Sequence, residues 1–277
     1  MNTGTLAASI ELVRAKIGLA VDGTIRREGD TDVLQLWPVD LDPNQTFKLC
    51  LKPAWRSASV VLELGRFAGA LLRSIGNAAT DAQLTCHTFV SAIRKGGGQV
   101  KFTLNGADVE IGMDWPFDVK SLEVVVRQGA LVFEHDSDTD ILNLVDRLMV
   151  PIFGMLAALI GVEDVVPEMA GEDEGRPYQT LVTKYERKQV NREACLRVNE
   201  PVCSVCGFDF GRVYGSAGQG FIEIHHVEPL SEVAAEHAID PGKDLVPLCS
   251  NCHAMAHRQR PAYSINELRG MLRGPTE

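Results

Sequence analysis

The sequence predicts an α+β protein with two domains joined by an acidic linker. Its length of 277 residues favours about two domains. Cysteine and histidine motifs are confined to the last third, and a stretch rich in acidic residues, Gly and Pro separates them from the rest. We therefore expect an α+β domain over 1–160, an extended linker over 161–177 and a second domain over 178–277.

The N-terminal region mixes helical and strand periodicities. Apolar spacing predicts a helix from Leu6 to Val21 and further helices near 66–75, 80–95 and 137–159. Alternation predicts strands at 33–37, 47–52, 57–63, 121–127 and 130–133. Asn105-Gly106 is a favoured two-residue turn and predicts a hairpin within 100–112, while the glycines at 96–98 predict a left-handed helix cap. This α+β pattern identifies no family.

Four of the seven cysteines form two CxxC pairs. Cys203 and Cys206 make the first pair, Cys249 and Cys252 make the second, and 42 residues lie between the pairs. Paired thiolates with such spacing are typical of a closed, tetrahedral, structural Zn²⁺ site. Because the thiols are committed to metal in this pattern, we expect a cytoplasmic protein.

Four of the seven histidines lie in the same region. His253 directly follows the last cysteine, and His257 lies one helical turn further on the same face. His225 and His226 are neighbours in a strand-like segment, so their side chains point to opposite faces. One of them can join His253 and His257 around a second metal, which leaves the other available as a base. The simpler alternative is a structural zinc ribbon with histidines nearby.

These residues resemble the HNH, or ββα-metal, endonucleases. The branch with an interleaved four-cysteine zinc, which includes methylcytosine-dependent type IV restriction enzymes, is the most similar. The resemblance covers about residues 178–274 and rests on the segments 203–210, 214–230 and 244–257. It implies that His226 is the general base and that His225, His253 and His257 hold a catalytic divalent ion, either Mg²⁺, Mn²⁺ or another transition metal. Asp244 replaces the family's middle Asn, and it can accept hydrogen bonds without donating them as an amide does.

The resemblance implies hydrolysis of DNA phosphodiester bonds, in restriction, anti-phage defence or a mobile element. A neutral histidine can take a proton from the attacking water, and a divalent ion can stabilise the charge that develops on the phosphate. The N-terminal domain would then supply targeting, sensing of a protein or small molecule, or assembly into a homodimer. The alternative is a non-catalytic zinc module that binds nucleic acid or protein.

The net charge of −10 is unevenly distributed. It amounts to −4 in residues 1–160, −6 in 161–175 and zero in 176–277. Basic residues near the metal motifs are candidates for contacts with DNA phosphates, or else ordinary solvated charges. They are Lys184, Arg187, Lys188, Arg192 and Arg197 on a predicted helix, with Arg258 and Arg260 after the last histidine.

Two further features bear on partners. The most hydrophobic run, 148–162, is short for a membrane span and is interrupted by Pro151 and Gly154, so we expect a buried or dimer-forming helix and no membrane association. Trp37, Trp55 and Trp115 are candidates for stacking on a nucleic-acid base, although core positions are the simpler interpretation.

Overall fold

The structure of the chain is a computed structural model with two compact units, Met1–Val190 and Asn191–Glu277. It describes residues 1–39, 42, 44–110, 118–131, 138–160, 184–227, 238–259 and 261–272, with the backbone alone for 184–188. The predicted linker, 161–177, lies outside the described residues. The predicted division at that linker therefore stays a prediction.

The first unit is built on an antiparallel sheet of seven described strands. Their order is β1-β2-β3-β4-β7-β5-β6. The elements are α1 (Thr3–Ile17), β1 (Val21–Glu28), β2 (Thr31–Pro38), β3 (Phe47–Ala54), β4 (Ser57–Leu64), α2 (Gly69–Gly76), α3 (Thr80–Lys95), β5 (Gln99–Leu104), β6 (Ala107–Asp108), β7 (Leu122–Gln128), α4 (Asp138–Leu144) and α5 (Val150–Ile160), with a π-helical turn, Val145–Met149, between the last two. The mixture of helix and sheet confirms the predicted α+β class.

The core of this unit lies between one face of the sheet and its helices. Alternate strand residues such as Leu34, Leu49 and Val60 are fully buried on that face. The continuous helix from Asp138 to Ile160 is long and apolar enough, by length and composition, to cross a membrane, but 61% of its most hydrophobic window is buried inside the fold. Gly154 in this helix faces the ring of Phe89 on α3, where an added Cβ would come within 2.4 Å of the ring. The absence of a side chain therefore allows these two helices to pack closely.

Two predictions for this unit need correction. The first helix ends at Ile17 rather than Val21, because Gly18 caps it in the left-handed conformation at φ 83°. The chain then enters β1, a strand that the sequence interpretation missed. The predicted left-handed glycine within 96–98 is confirmed, since Gly97, just after α3, adopts φ 85°. At the predicted strand 130–133, residues 130 and 131 are not in a strand, and 132–133 lie outside the described residues.

The tryptophans also differ from the simple expectation of core positions. Trp55 is 80% exposed at the turn between β3 and β4, so a core position is wrong for this residue. Trp37 is partly buried, with the Lys48 ammonium 5.5 Å from its ring centroid. Trp115 lies outside the described residues.

The second unit is small and centres on a ββα arrangement. Its elements are the C-terminal part of α6 (Lys184–Val198), α7 (Phe210–Tyr214), a 3₁₀ turn (Gly215–Gly218), β8 (Glu223–His226), β9 (Leu245–Leu248), α8 (Ser250–Ala256) and α9 (Ile265–Met271). β8 and β9 pair antiparallel, with His225 opposite Val246. A small apolar core that includes Ile222, Leu248 and Leu268 lies beneath the cysteines. This hairpin followed by a helix matches the predicted C-terminal fold.

Candidate metal centres

The four cysteines of the CxxC pairs converge in the second unit. One ligand atom from each lies within 4.8 Å of all the others, and the Sγ atoms of Cys206 and Cys249 are 3.7 Å apart. A tetrahedral zinc with Zn–S bonds of about 2.3 Å holds its sulfurs about 3.8 Å apart. The arrangement therefore fits the predicted structural Zn²⁺.

Local backbone geometry positions these thiols. Gly207 adopts φ 71°, which turns the chain back so that its amide donates to the carbonyl of Cys203 at 2.9 Å. Cys249 is the N-cap of α8 and accepts a hydrogen bond from the amide of Cys252 at 3.5 Å. Each pair is thus held by a tight turn or by a helix start, as closely spaced zinc ligands require.

The thiols differ in their tendency to ionise. Burial opposes ionisation of Cys203, but hydrogen bonds from the backbone amides of Cys206, Cys249 and Val205 outweigh it and lower the pKa of that thiol to about 7. Burial raises the pKa of Cys206 and of Cys252. Binding zinc would favour the thiolate at all four positions, because the ion places positive charge between them.

Three histidines form a second cluster, distinct from the cysteines. His225, on β8, faces His253 and His257 at the end of α8, and their ring centroids are 4.9 to 5.4 Å apart. One nitrogen of each ring lies within 4.8 Å of the other two. His225 is buried, His253 is partly buried and His257 is exposed. The cluster is therefore buried on the side of His225 and open to solvent on the side of His257.

Two features prepare this cluster for a metal ion: the burial of His225 and a carboxylate partner of His253. Burial, followed by the charges of His257, His253 and His226, lowers the pKa of His225 to about 4, so the ring is neutral and able to bind a metal at physiological pH. The Nδ1 atom of His253 contacts the carboxylate of Glu223 at 2.5 Å, which leaves Nε2 available for an ion.

Glu223 was missed by the sequence interpretation. It lies two residues before His225 and thus on the same face of β8, so the period of a strand could have identified it. A carboxylate with that placement near a histidine cluster is a common orienting group for metal ligands.

His226 is the last residue of β8, and Asp244 directly precedes β9. His226 is partly buried and pairs in register with Leu245, and the alternation of the strand directs its ring away from the face of His225. The Asp244 carboxylate accepts a hydrogen bond from the amide of Asp240 at 2.7 Å, and its carbonyl accepts one from Val227 at 2.8 Å. Asp244 therefore holds the end of the loop beside β8 by accepting these two hydrogen bonds.

The basic residues predicted to contact DNA differ in their surroundings. Arg192 donates to the carbonyls of Ile222 and Gly220, at 2.7 and 3.1 Å, and Arg197 forms a 2.6 Å ion pair with Glu193 in a largely buried position. Both guanidiniums are thus engaged within the unit, and a phosphate would have to compete for them. Arg258 is exposed immediately after His257. Arg260 and the side chains of Lys184, Arg187 and Lys188 lie outside the described part of the chain.

Comparison with known families supports the resemblance inferred from the motifs. Residues 203–259 match the family described as HNH endonuclease, a segment of roughly a fifth of the chain that contains both clusters. The predicted resemblance to that family is confirmed at these residues. A comparison with curated proteins gives no match.

Proposed function

We propose that the segment matching the HNH endonuclease family is the centre of a metal-dependent enzyme that hydrolyses DNA phosphodiester bonds. The observation that carries this proposal is the coexistence of two donor sets of different chemistry in one small unit. Four thiols, three of them buried, suit a closed structural site, whereas three imidazoles that range from buried His225 to exposed His257 suit an ion with open positions on its solvent side.

The donor set bears on the choice of ion. Imidazole nitrogens suit divalent transition metals, whereas Mg²⁺ prefers oxygen ligands and keeps much of its water. We therefore favour Mn²⁺ or another transition metal over Mg²⁺ at His225, His253 and His257, with Zn²⁺ at the cysteines. When bound, the catalytic ion would supply Lewis-acid stabilisation of charge on the phosphate oxygens.

The remaining steps belong to side chains of the chain itself. His226 would accept the proton of the attacking water, a role that suits an imidazole near neutral pH. Asp244 would keep the hairpin and its loop in register through its bond to Asp240. Arg258, exposed next to the cluster, would hold a backbone phosphate without reading base sequence.

A nicking assay on supercoiled plasmid tests this function. Wild-type protein should convert the plasmid to open circles with added Mn²⁺, less rapidly with Mg²⁺, and not with EDTA. His257→Ala should abolish nicking, whereas His87→Ala, at an exposed histidine on α3, should retain it. A protein that binds DNA but never nicks it with either metal would instead be the non-catalytic zinc module.

The biological role is also a proposal. Resemblance to type IV restriction enzymes supports a role in restriction, anti-phage defence or a mobile element, and the use of cysteines in metal-binding pairs supports a cytoplasmic protein. The first unit would then supply targeting, sensing or assembly, and a homodimer would turn two nicks into a double-strand break. Cleavage of methylcytosine-containing DNA against unmodified DNA, with and without residues 1–160, separates these possibilities.

A further inference from the structure

The first unit contains a pocket at one end of its sheet. The pocket has a volume of about 490 Å³, which is in the range of small-molecule sites. It lies where β3 and β7 end and where β4 and β5 begin. The proposed nuclease function makes no use of it.

Strand register places four polar side chains in one row across this pocket. Lys52 pairs with Ser59, Ser59 pairs with Arg127, and Arg127 pairs with Gln99. Directly paired residues point to the same face of a sheet, so all four side chains line the same wall. The row offers two cations, a hydroxyl and an amide, and the lining includes no carboxylate.

The two cations of the row differ in how far they are neutralised. Lys52 forms an ion pair with Glu28, the last residue of β1. The structure gives Arg127 no ion pair with a described residue, and its side chain is exposed. A planar guanidinium is well suited to bidentate contacts with phosphate oxygens.

An exposed aromatic residue follows the pocket-lining end of β3 in sequence. Trp55 occupies the two-residue turn between β3 and β4, next in sequence to the lining residue Ala54, and it is 80% exposed. Indole is a good surface for stacking a nucleic-acid base, because every base presents a flat π face. The turn that follows one of the lining strands thus carries an aromatic residue on which a base could stack.

We propose that this pocket binds a nucleotide, with the phosphate between Lys52 and Arg127 and the base against Trp55. The combination of cations, hydroxyl and amide donors and an aromatic ring matches a nucleoside phosphate better than an inorganic anion. The nucleotide can be free or part of a single strand, since both present the same chemistry. Binding would give the first unit a sensing or targeting role that does not depend on the metal centres.

Isothermal titration of the full-length protein tests this proposal. The probes are adenosine monophosphate, adenosine, inorganic phosphate and a short single-stranded oligonucleotide, without added divalent metal. Adenosine monophosphate should bind at least about tenfold more tightly than adenosine or phosphate, because only it engages both parts of the pocket. Tighter binding of the monophosphate would identify a free nucleotide as the ligand, and tighter binding of the oligonucleotide would identify a single strand. In either case, substitution of the pocket residues should weaken the binding.

Variants assign the binding to the pocket. Arg127→Ala should weaken adenosine monophosphate binding by about tenfold or more, and Arg127→Lys should weaken it less, because a cation is retained. Trp55→Ala should remove the advantage of adenosine monophosphate over phosphate. Arg26→Ala, which removes an arginine from β1 outside the pocket, is the matched control and should bind like wild type. Thermal melting checks that each variant folds.

Three results would overturn the proposal. They are the absence of saturable binding by any probe at millimolar concentration, equal affinities for phosphate and adenosine monophosphate, and an affinity that Arg127→Ala leaves within twofold of wild type. Because none of these measurements involves DNA cleavage, their outcome is independent of the proposed nuclease activity.

Discussion

The carboxylate of Glu223 contacts Nδ1 of His253 at 2.5 Å, and it thereby fixes which nitrogen of that ring faces the histidine cluster. Such a contact sets the tautomer and orientation of an imidazole. The strand that carries His225 thus also supplies the group that orients the ring of His253 on α8.

Removing this carboxylate should weaken metal binding at the histidine cluster. We expect Glu223→Ala to lower the affinity for Mn²⁺ by about 10- to 100-fold, the usual effect of losing an orienting partner. Glu223→Gln should lose less, because its amide oxygen still accepts a hydrogen bond. Titration calorimetry measures both. Glu200→Gln, at an exposed position, serves as the control; an unchanged affinity in Glu223→Ala would show that the contact does not orient a ligand.

The four-cysteine site should be required for folding of the second unit. Cys203→Ser removes a buried ligand, and we expect loss of bound zinc together with loss of the ordered second unit, because binding of structural zinc contributes folding free energy directly. Zinc content by elemental analysis and the near-ultraviolet circular dichroism spectrum measure the two effects. Cys50→Ser, in the first unit and outside the cluster, should keep the zinc content of wild type. A folded Cys203→Ser protein without zinc would contradict a structural role.

The turn after Cys206 should tolerate only glycine without strain. An added Cβ at Gly207 meets nothing within 4 Å, so the cost of Gly207→Ala arises from φ 71° alone and should be about 1–2 kcal/mol. Chemical denaturation followed by a probe in the second unit measures this loss. Gly270→Ala is the matched control, since it also enters open space but within helix α9, where alanine is favoured. Equal effects of the two substitutions would argue against strain at the turn.

Acid should destabilise the second unit in part through His225. The pKa of His225 is about 4 in the folded protein, against an ordinary value of 6.5 that applies to the unfolded chain. Between pH 4 and 6.5, the unfolded chain therefore binds a proton at His225 that the folded chain does not. The contribution of His225 to stability is therefore present above pH 6.5 and is lost as the pH falls toward 4. The stability of wild type should decline more steeply over this window than that of His225→Gln. Parallel pH slopes in thermal melts without added divalent metal would contradict this assignment.

The sequence predicted the convergence of the cysteines and of the histidines better than the fold around them. The spacing of the cysteines and of His253 and His257 is local, and a helix or tight turn converts such spacing directly into proximity. The sheet in the first unit was largely predictable because its strands alternate, but β1 was missed because Gly23 and its charged neighbours weaken the apolar pattern.

Contacts that depend on tertiary structure were not predictable from spacing. Arg192 and Arg197 appear as a basic helix surface in the sequence, yet they are held by the carbonyls of Gly220 and Ile222 and by Glu193. The pocket beside Arg127 arises from strands that are distant in sequence and adjacent only in the sheet. Neither feature has a local pattern that could have revealed it.

Plasmid nicking by His226→Ala, with metal binding measured on the same sample, tests the central claim most directly. The claim is that three histidines hold the ion and His226 acts as the base. The account predicts that this variant has the zinc content of wild type and binds Mn²⁺ with an affinity within about twofold of wild type. Its nicking rate should fall by about 10²–10⁴-fold, the usual contribution of a general base. Nicking close to the wild-type rate, or loss of the ion together with loss of nicking, would contradict it.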